Sequence, residues 1–442
     1  MRPTHAKDHT EPPPFWPGAA APAASCARVP VPGDAERHDT DGASPATGGK
    51  LPADPAEVHR FDADVPGAVG RLLVHVLAER LSRARLVDPQ FTGEVAERMT
   101  RFTVQGGKRT RAQLVWWAAR ACAGRDPASA AGALRMGAAL ELLQTCALVH
   151  DDVMDRATLR RGRPTLHTDL TAAYAERTEA KRARRFGRSA AVLAGDLALA
   201  WADDMVAETP MEPRTAAVVR RVWSDLRTEM VAGQYLDLRG QVTAVRSLPR
   251  LLRTARLKSA LYSVERPLAL GAAMAGADEM TTRQLCDAGR CAGMAFQLRD
   301  DLGDVFGDPG ETGKACGEDI REGKSTYPVA VARARAEAAG NRTALSVLDR
   351  WLGEPALTER GLDEIRDVLI ATGARATVET KIDRLAAQAL RHFDAAPLDA
   401  EAAGPLRGLL LATAGARPDG STAGPRPAHE TYRADSDAGR DR

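Results

Sequence analysis

Apolar residues recur at helical spacing along most of this chain. From Val65 onward, Val69, Leu72, Leu73, Val76, Leu77, Leu81 and Leu86 return mostly every three or four positions, which marks an amphipathic helix. Similar patterns continue to about residue 396, interrupted at pairs such as Asp126-Pro127 and Asp308-Pro309. No stretch sustains the alternation of a half-buried strand. The pattern therefore predicts an all-α body of about a dozen helices with short connections. One segment is apolar on most faces: it is expected to begin at Pro127, a favourable first-turn residue, and to pass Leu134, Ala138, Leu142, Cys146 and Val149 before reaching a cluster of acids. A helix of that kind belongs at the centre of a fold.

The two ends read differently. Residues 1–64 are rich in Pro, Ala and Gly without helical or strand period, and residues 399–442 are polar with Gly, Pro, Asp and Arg. Both are expected to be disordered extensions around a single catalytic-sized domain at 65–398.

Composition narrows the classes of function. Hydrophobic residues at 44% and charged residues at 27% are ordinary for a globular chain, and a net charge of +2 offers no global case for nucleic-acid binding. A basic run at 177–188 reads as a solvated surface segment. The six cysteines show no CxxC and no zinc-like grouping with histidine, so they are expected to be reduced packing residues in a cytoplasmic protein. Arg, Asp or Glu interrupts every apolar stretch that approaches bilayer-spanning length, so no transmembrane segment is expected. The N-terminal residues lack the hydrophobic region of a secretory signal.

The candidate chemistry begins where the central apolar segment ends, at Asp151-Asp152-x-x-Asp155. On a helix Asp151 and Asp155 sit one turn apart and can converge on a hard cation, while Asp152 points about 100° away. A second copy, Asp300-Asp301-x-x-Asp304, follows later. Cations accompany each: Gly106-Gly107-Lys108-Arg109-Thr110-Arg111 precedes the first cluster and Arg160-Arg161-Gly162 follows it. Lys258-Ser259 lies between the clusters, and Lys314 and Lys324 follow the second. Glu229-Met230-x-x-Gly233-Gln234-x-x-Asp237 and Phe296-Gln297 complete the series. Acids suited to metal alternate with bases suited to phosphate, an arrangement that fits a diphosphate held by both.

This ordered set, over roughly residues 66–396, resembles the trans-type isoprenyl diphosphate synthases of the polyprenyl synthetase family. The resemblance implies a large helical bundle of the isoprenoid synthase type around a deep cavity, a homodimer, and three Mg²⁺ ions per site. It implies that Asp151, Asp155, Asp300 and Asp304 are magnesium ligands, with Asp152 and Asp301 acting behind them or through water. Arg160, Lys258, Lys314 and Lys324 would hold an allylic diphosphate; Lys108, Arg111, Gln144 and Arg161 would hold isopentenyl diphosphate. Ser259 and Gln297 would stabilise the developing allylic cation, and Asp237 would support the site. Ser259 stands where threonine is commoner, and Ala112 where proline is usual; neither change removes a charge.

Members that stop early carry bulky aromatics four and five residues before the first aspartate. Here those positions are Ala147 and Cys146, both small, with Leu143 on the next turn. One isoprene unit spans about 5 Å, close to one helical turn, so the expected product is geranylgeranyl diphosphate, with farnesyl or longer products as alternatives. A class I terpene cyclase is the weaker reading: its second metal motif begins with asparagine, and the only one here, Asn341, heads no such motif. A non-catalytic partner subunit would lack carboxylates or phosphate-binding cations, and this chain has both.

Overall fold

The computed structural model describes residues 51–160, 162–243, 247–307 and 316–415. Its described part is helical, apart from a two-residue antiparallel pairing of β1 (Leu159–Arg160) with β2 (Arg163–Pro164). The helices in order are α1 (Pro55–Asp62), α2 (Val65–Val87), α3 (Pro89–Phe91), α4 (Glu97–Val104), α5 (Thr110–Ala123), α6 (Pro127–Met154), α7 (Leu166–Ala172), α8 (Ala180–Ala207), α9 (Pro213–Thr243) and α10 (Leu248–Ala255). Then come α11 (Arg266–Met274), α12 (Glu279–Phe306), α13 (Glu318–Arg321), α14 (Tyr327–Ala338), α15 (Arg342–Trp351), α16 (Glu359–Ala371), α17 (Ala374–Asp394) and α18 (Ala400–Ala414). They exceed the dozen expected because segments as short as α3 and α13 fall below the length at which periodicity can be read.

Helix α6 begins at Pro127, as its sequence predicts, because the Asp126 side chain accepts from the Ser129 backbone N–H at 2.8 Å. It is long and apolar enough to cross a bilayer, contrary to the expectation from its interrupting Arg135 and Glu141. However, 78% of its most apolar window is buried inside the protein, so those faces are already covered. Leu140, Leu142 and Leu143 are fully buried, each contributing about 1.5–3 kcal/mol. Helix α6 packs on α2, α5, α8 and α11. Against α8 the approach is close: a Cβ on Gly195 would lie 2.2 Å from His150 Nε2, which sits 3.0 Å from the Val192 carbonyl oxygen.

Helix α12 is the second organising element, packed on α11, α17, α18 and the segment Arg256–Glu265. That segment is wound wider than an α-helix, and the Arg266 N–H reaches back five residues to the Leu261 carbonyl. Wide turns of this kind are uncommon and concentrate at functional sites.

The helical body reaches beyond the expected bounds of 65 and 398. Helix α1 lies before the first and α18 after the second, and both are fastened to Arg120 on α5. The Arg120 guanidinium is 1% exposed; its Nη2 lies 2.8 Å from Asp62 and 3.8 Å from Glu401, while Trp116 Nε1 donates to Asp62 at 2.9 Å. Helix α1 is only eight residues long and α18 is alanine-rich with Pro405 inside it, so both carry little periodic signal, and the charge that anchors them lies far away in the sequence. Removing one partner of such a buried pair strands the other, so Asp62→Ala is expected to cost about 3 kcal/mol, read as a lower denaturation midpoint in urea.

Candidate active site

Helices α6 and α12 both end in their aspartate motifs, and the fold brings the two ends together. Asp155 caps α6, its N–H bonded to the Asp151 carbonyl at 2.8 Å. Lys324 Nζ lies 3.1 Å from Asp155 and 3.6 Å from Asp319. The Asp319 N–H in turn donates to Asp304 Oδ2 at 3.3 Å. Lys324 thus bridges the first acidic cluster to the second through Asp319.

A second lysine does the same between α6 and α9. Lys258 Nζ is 2.6 Å from Asp237 and 3.5 Å from Asp151. Gly233 makes this possible: a Cβ there would meet the Lys258 backbone nitrogen at 2.3 Å, so only glycine lets α9 touch the wide segment that carries Lys258 and Ser259. Gln234, the next residue, donates to Asp151 at 3.0 Å. Arg160, on β1, clamps Asp152 with its Nε at 2.8 Å and reaches Asp151 at 3.4 Å. Among the described residues no three acidic, histidine or cysteine side chains converge into a preformed metal cage. Cations stand among the acids instead.

The charge states follow from this packing. Burial works against an ionised Asp151, but Lys258, Arg160 and Lys324 outweigh it and hold the group below its ordinary range. Burial pushes Asp152 up to about 6 despite Arg160. Asp304 is pushed up to about 7 by burial and then by Asp319, and Asp301 to about 8 by the same two causes. Asp300 is exposed. Burial would lower Lys258, but Asp237 and Asp151 raise it; Asp319, Asp155 and Glu322 likewise raise Lys324. Both lysines stay charged.

The phosphate-type motif before α5 divides. Lys108 is exposed, whereas Arg109 turns back with φ of 50° and donates to the carbonyls of Pro66 at 3.3 Å and Val104 at 3.1 Å, a structural task. Arg111 stacks 4.5 Å over the Tyr262 ring and donates to Ser263 at 2.7 Å. The Tyr262 hydroxyl donates to Gln144. Arg163 Nη1, donating to Gln105 at 2.7 Å, ties the β-hairpin to this loop. Gln297 donates to Asp301 at 2.7 Å. Arg161 and Lys314 lie outside the described residues.

The chain-length positions separate. Gln144, Ala147, Leu148 and Asp151 are half-buried at i, i+3, i+4 and i+7, so one face of the central helix is left partly open. Cys146 does not share it. It is buried, its Sγ 3.7 Å from His150 Nδ1 on the side packed against α8, because adjacent residues of a helix point about 100° apart. Sequence reasoning gave no role in the site to Gln234, although its motif was in view, nor to Asp319 and Glu322. Glu229, in the same motif as Gln234, instead pairs with Arg266 at 2.8 Å.

Residues 93–359 match the family model described as polyprenyl synthetase. The chain belongs to the polyprenyl synthetase family. It is a trans-type isoprenyl diphosphate synthase, and so a prenyltransferase. It is 31% identical over 279 residues to a geranylfarnesyl diphosphate synthase of Aeropyrum pernix, covering 62% of this chain and 79% of that protein. To a geranylgeranyl diphosphate synthase of Mycobacterium tuberculosis it is 36% identical over 242 residues, 54% of this chain and 62% of that one. The crystal structure of a geranylgeranyl pyrophosphate synthase from Corynebacterium glutamicum, complexed with isoprenyl diphosphate and magnesium, superposes with a TM-score of 0.73 at 34% identity. That likeness covers 79% of this chain and 99% of the other.

Two outcomes follow for this prenyltransferase. Gly233→Ala is expected to lower turnover at least tenfold with unchanged helical circular dichroism, because Lys258 must shift. In EDTA, the folded chain binds more protons at Asp152, Asp304 and Asp301 than the unfolded chain does between about pH 4 and 8. Stability contributed by these groups therefore falls as pH rises through that window, and Asp151 acts oppositely only below about pH 4. Melting curves in EDTA from pH 6 to 9 should show the melting temperature falling, with a smaller slope when Mg²⁺ is added.

Proposed function

We propose that this chain condenses allylic diphosphates with isopentenyl diphosphate and releases geranylgeranyl diphosphate as its main product. The observation that carries the reading is the joint presence, around the linked ends of α6 and α12, of carboxylates in two clusters and half-buried, charged Lys258 and Lys324. Magnesium fits the donor set. The donors are carboxylate oxygens suited to a hard cation, Asp152 Oδ2 is buried without a hydrogen-bond partner, and burial together with neighbouring acids strains the ionised forms of Asp301 and Asp304. Asp151, Asp155, Asp300 and Asp304 would hold the ions, three per site in this reading. When bound, Mg²⁺ supplies positive charge that stabilises a departing diphosphate.

The chain's own groups do the rest. Lys258 and Lys324 present ammonium groups fixed by Asp237 and Glu322, ready to take up charge on the allylic diphosphate; Arg160 and Lys314 join them. Lys108, Arg111, Gln144 and Arg161 hold isopentenyl diphosphate, with the Tyr262 ring fixing the plane of Arg111. Ser259 and the Gln297 amide oxygen face the developing allylic cation. After the new carbon–carbon bond forms, a proton leaves to the released diphosphate, and the scheme needs no side-chain nucleophile.

Product length rests on Ala147, which shares the partly open face of α6 with Gln144 and Asp151, while Leu140 lies two turns back, seven residues along the same face. A small residue there favours a chain longer than fifteen carbons. Relatives of similar closeness are named for farnesyl, geranylgeranyl and geranylfarnesyl products. A homodimer in the cytoplasm completes the reading; apolar side chains left exposed on α8 and α9, among them Leu193 and Val218, suit a second copy.

Incubation with Mg²⁺, isopentenyl diphosphate and each of the five-, ten- and fifteen-carbon allylic diphosphates is expected to give a twenty-carbon product. No elongated product with any primer would overturn the reading. Ala147→Phe is expected to shorten the product without abolishing turnover, read by chromatography of the dephosphorylated alcohols.

A further inference from the structure

The first two turns of α8 carry a concentration of positive charge that the site does not use. Lys181, Arg182, Arg184, Arg185 and Arg188 are all exposed, and none forms an ion pair among the described residues. Lys181, Arg184, Arg185 and Arg188 stand at i, i+3, i+4 and i+7, within an arc of about 100°, and Arg182 lies about 60° further round. From Ala180 to Gly195 the helix contains no acid. Along the chain the nearest carboxylates are Glu176 and Glu179 before it and Asp196 beyond it, the last lying 3.7 Å from His150, while Glu94 accepts from the Tyr174 hydroxyl at 2.5 Å. The opposite face of the same turns is buried through Ala183, Gly187, Ala190 and Ala191, so the cations cannot rotate inward.

Local electrostatics make this arrangement unfavourable for the isolated chain. The N-terminal end of a helix is its positive pole and favours acids. Here the first turn of α8 has no acid, the capping Glu179 makes no side-chain hydrogen bond, and five cations follow. An external anionic surface would relieve both terms. Next to the cations stands Phe186, 38% exposed and packed at a tilt against Tyr174 with ring centroids 4.5 Å apart; Arg177 lies 5.6 Å over the Tyr174 ring. Cations beside an aromatic group on one exposed helix suit the headgroup region of a membrane.

We propose that this face of α8 docks the protein peripherally on a membrane rich in anionic lipid. A second copy seated on these turns would bring like charges together. The cationic stretch spans only about 10 Å of helix in a chain of net charge +2, little for a nucleic acid to follow. The proposal goes beyond the product reading, and its test uses no substrate.

The full chain is sedimented with phosphatidylcholine vesicles, with or without about 30 mol% phosphatidylglycerol, at low and high salt. At low salt, binding to the anionic vesicles is expected to be at least tenfold tighter than to the neutral ones, and it should fall as salt rises. The triple variant Arg184→Gln/Arg185→Gln/Arg188→Gln should lose at least tenfold of that binding. Its helical circular dichroism and prenyltransferase turnover should stay unchanged. Equal binding to neutral vesicles, equal binding by the variant, or retention on inorganic polyphosphate or an acidic peptide but not on vesicles would each overturn the proposal.

Discussion

Carboxylates crowded at the ends of two central helices repel one another, and the structure depends on how that repulsion is met. Two unit charges 4 Å apart still oppose each other by about 4 kcal/mol at an effective dielectric of about 20. Lys258, Lys324 and Arg160 answer it, each drawn from a different element and each touching more than one acid. They fix how α9, the wide segment Arg256–Glu265 and the turn after α13 sit against α6. In the proposed reaction the same cations would become available to a diphosphate once metal ions took over the acids, so the neutralising groups and the substrate-binding groups would be one set.

Packing holds these cations beside the acids. Gly233 lets Lys258 approach α9, and the extra residue per turn of the wide segment gives Lys258 and Ser259 their place beside α6 and α12. Arg160 and Arg163 work from a hairpin only two residues wide on each side, one strand facing the acids and the other tied to the loop before α5.

Much of this was legible in the chain. The start of α6 was readable because a proline and a capping aspartate act on their immediate neighbours, and the two acidic motifs were readable because helical spacing puts their carboxylates one turn apart. The face of Cys146 was read less well: treating Cys146 and Ala147 as one level of a wall ignores the 100° between adjacent residues, and only packing against α8 reveals which of them is turned away. Gln234 escaped notice because its partner, Asp151, lies 83 residues away in sequence, and Asp319 and Glu322 because the lysine they flank, Lys324, meets the first acidic cluster only in the fold. The wide turn has no periodic signature, since its register is set by contacts with α9 and α12.

Arg120 adds a consequence for the order of synthesis. Asp62 is made before it and Glu401 nearly three hundred residues after it, and Leu114, Ala118 and Ala121 on the same helix share a core with Ala402, Leu406 and Leu410. A nascent chain can close the layer around α2, α6 and α8 early. One side of α5 stays uncovered until α18 leaves the ribosome, so the core these two helices share can close only late in synthesis.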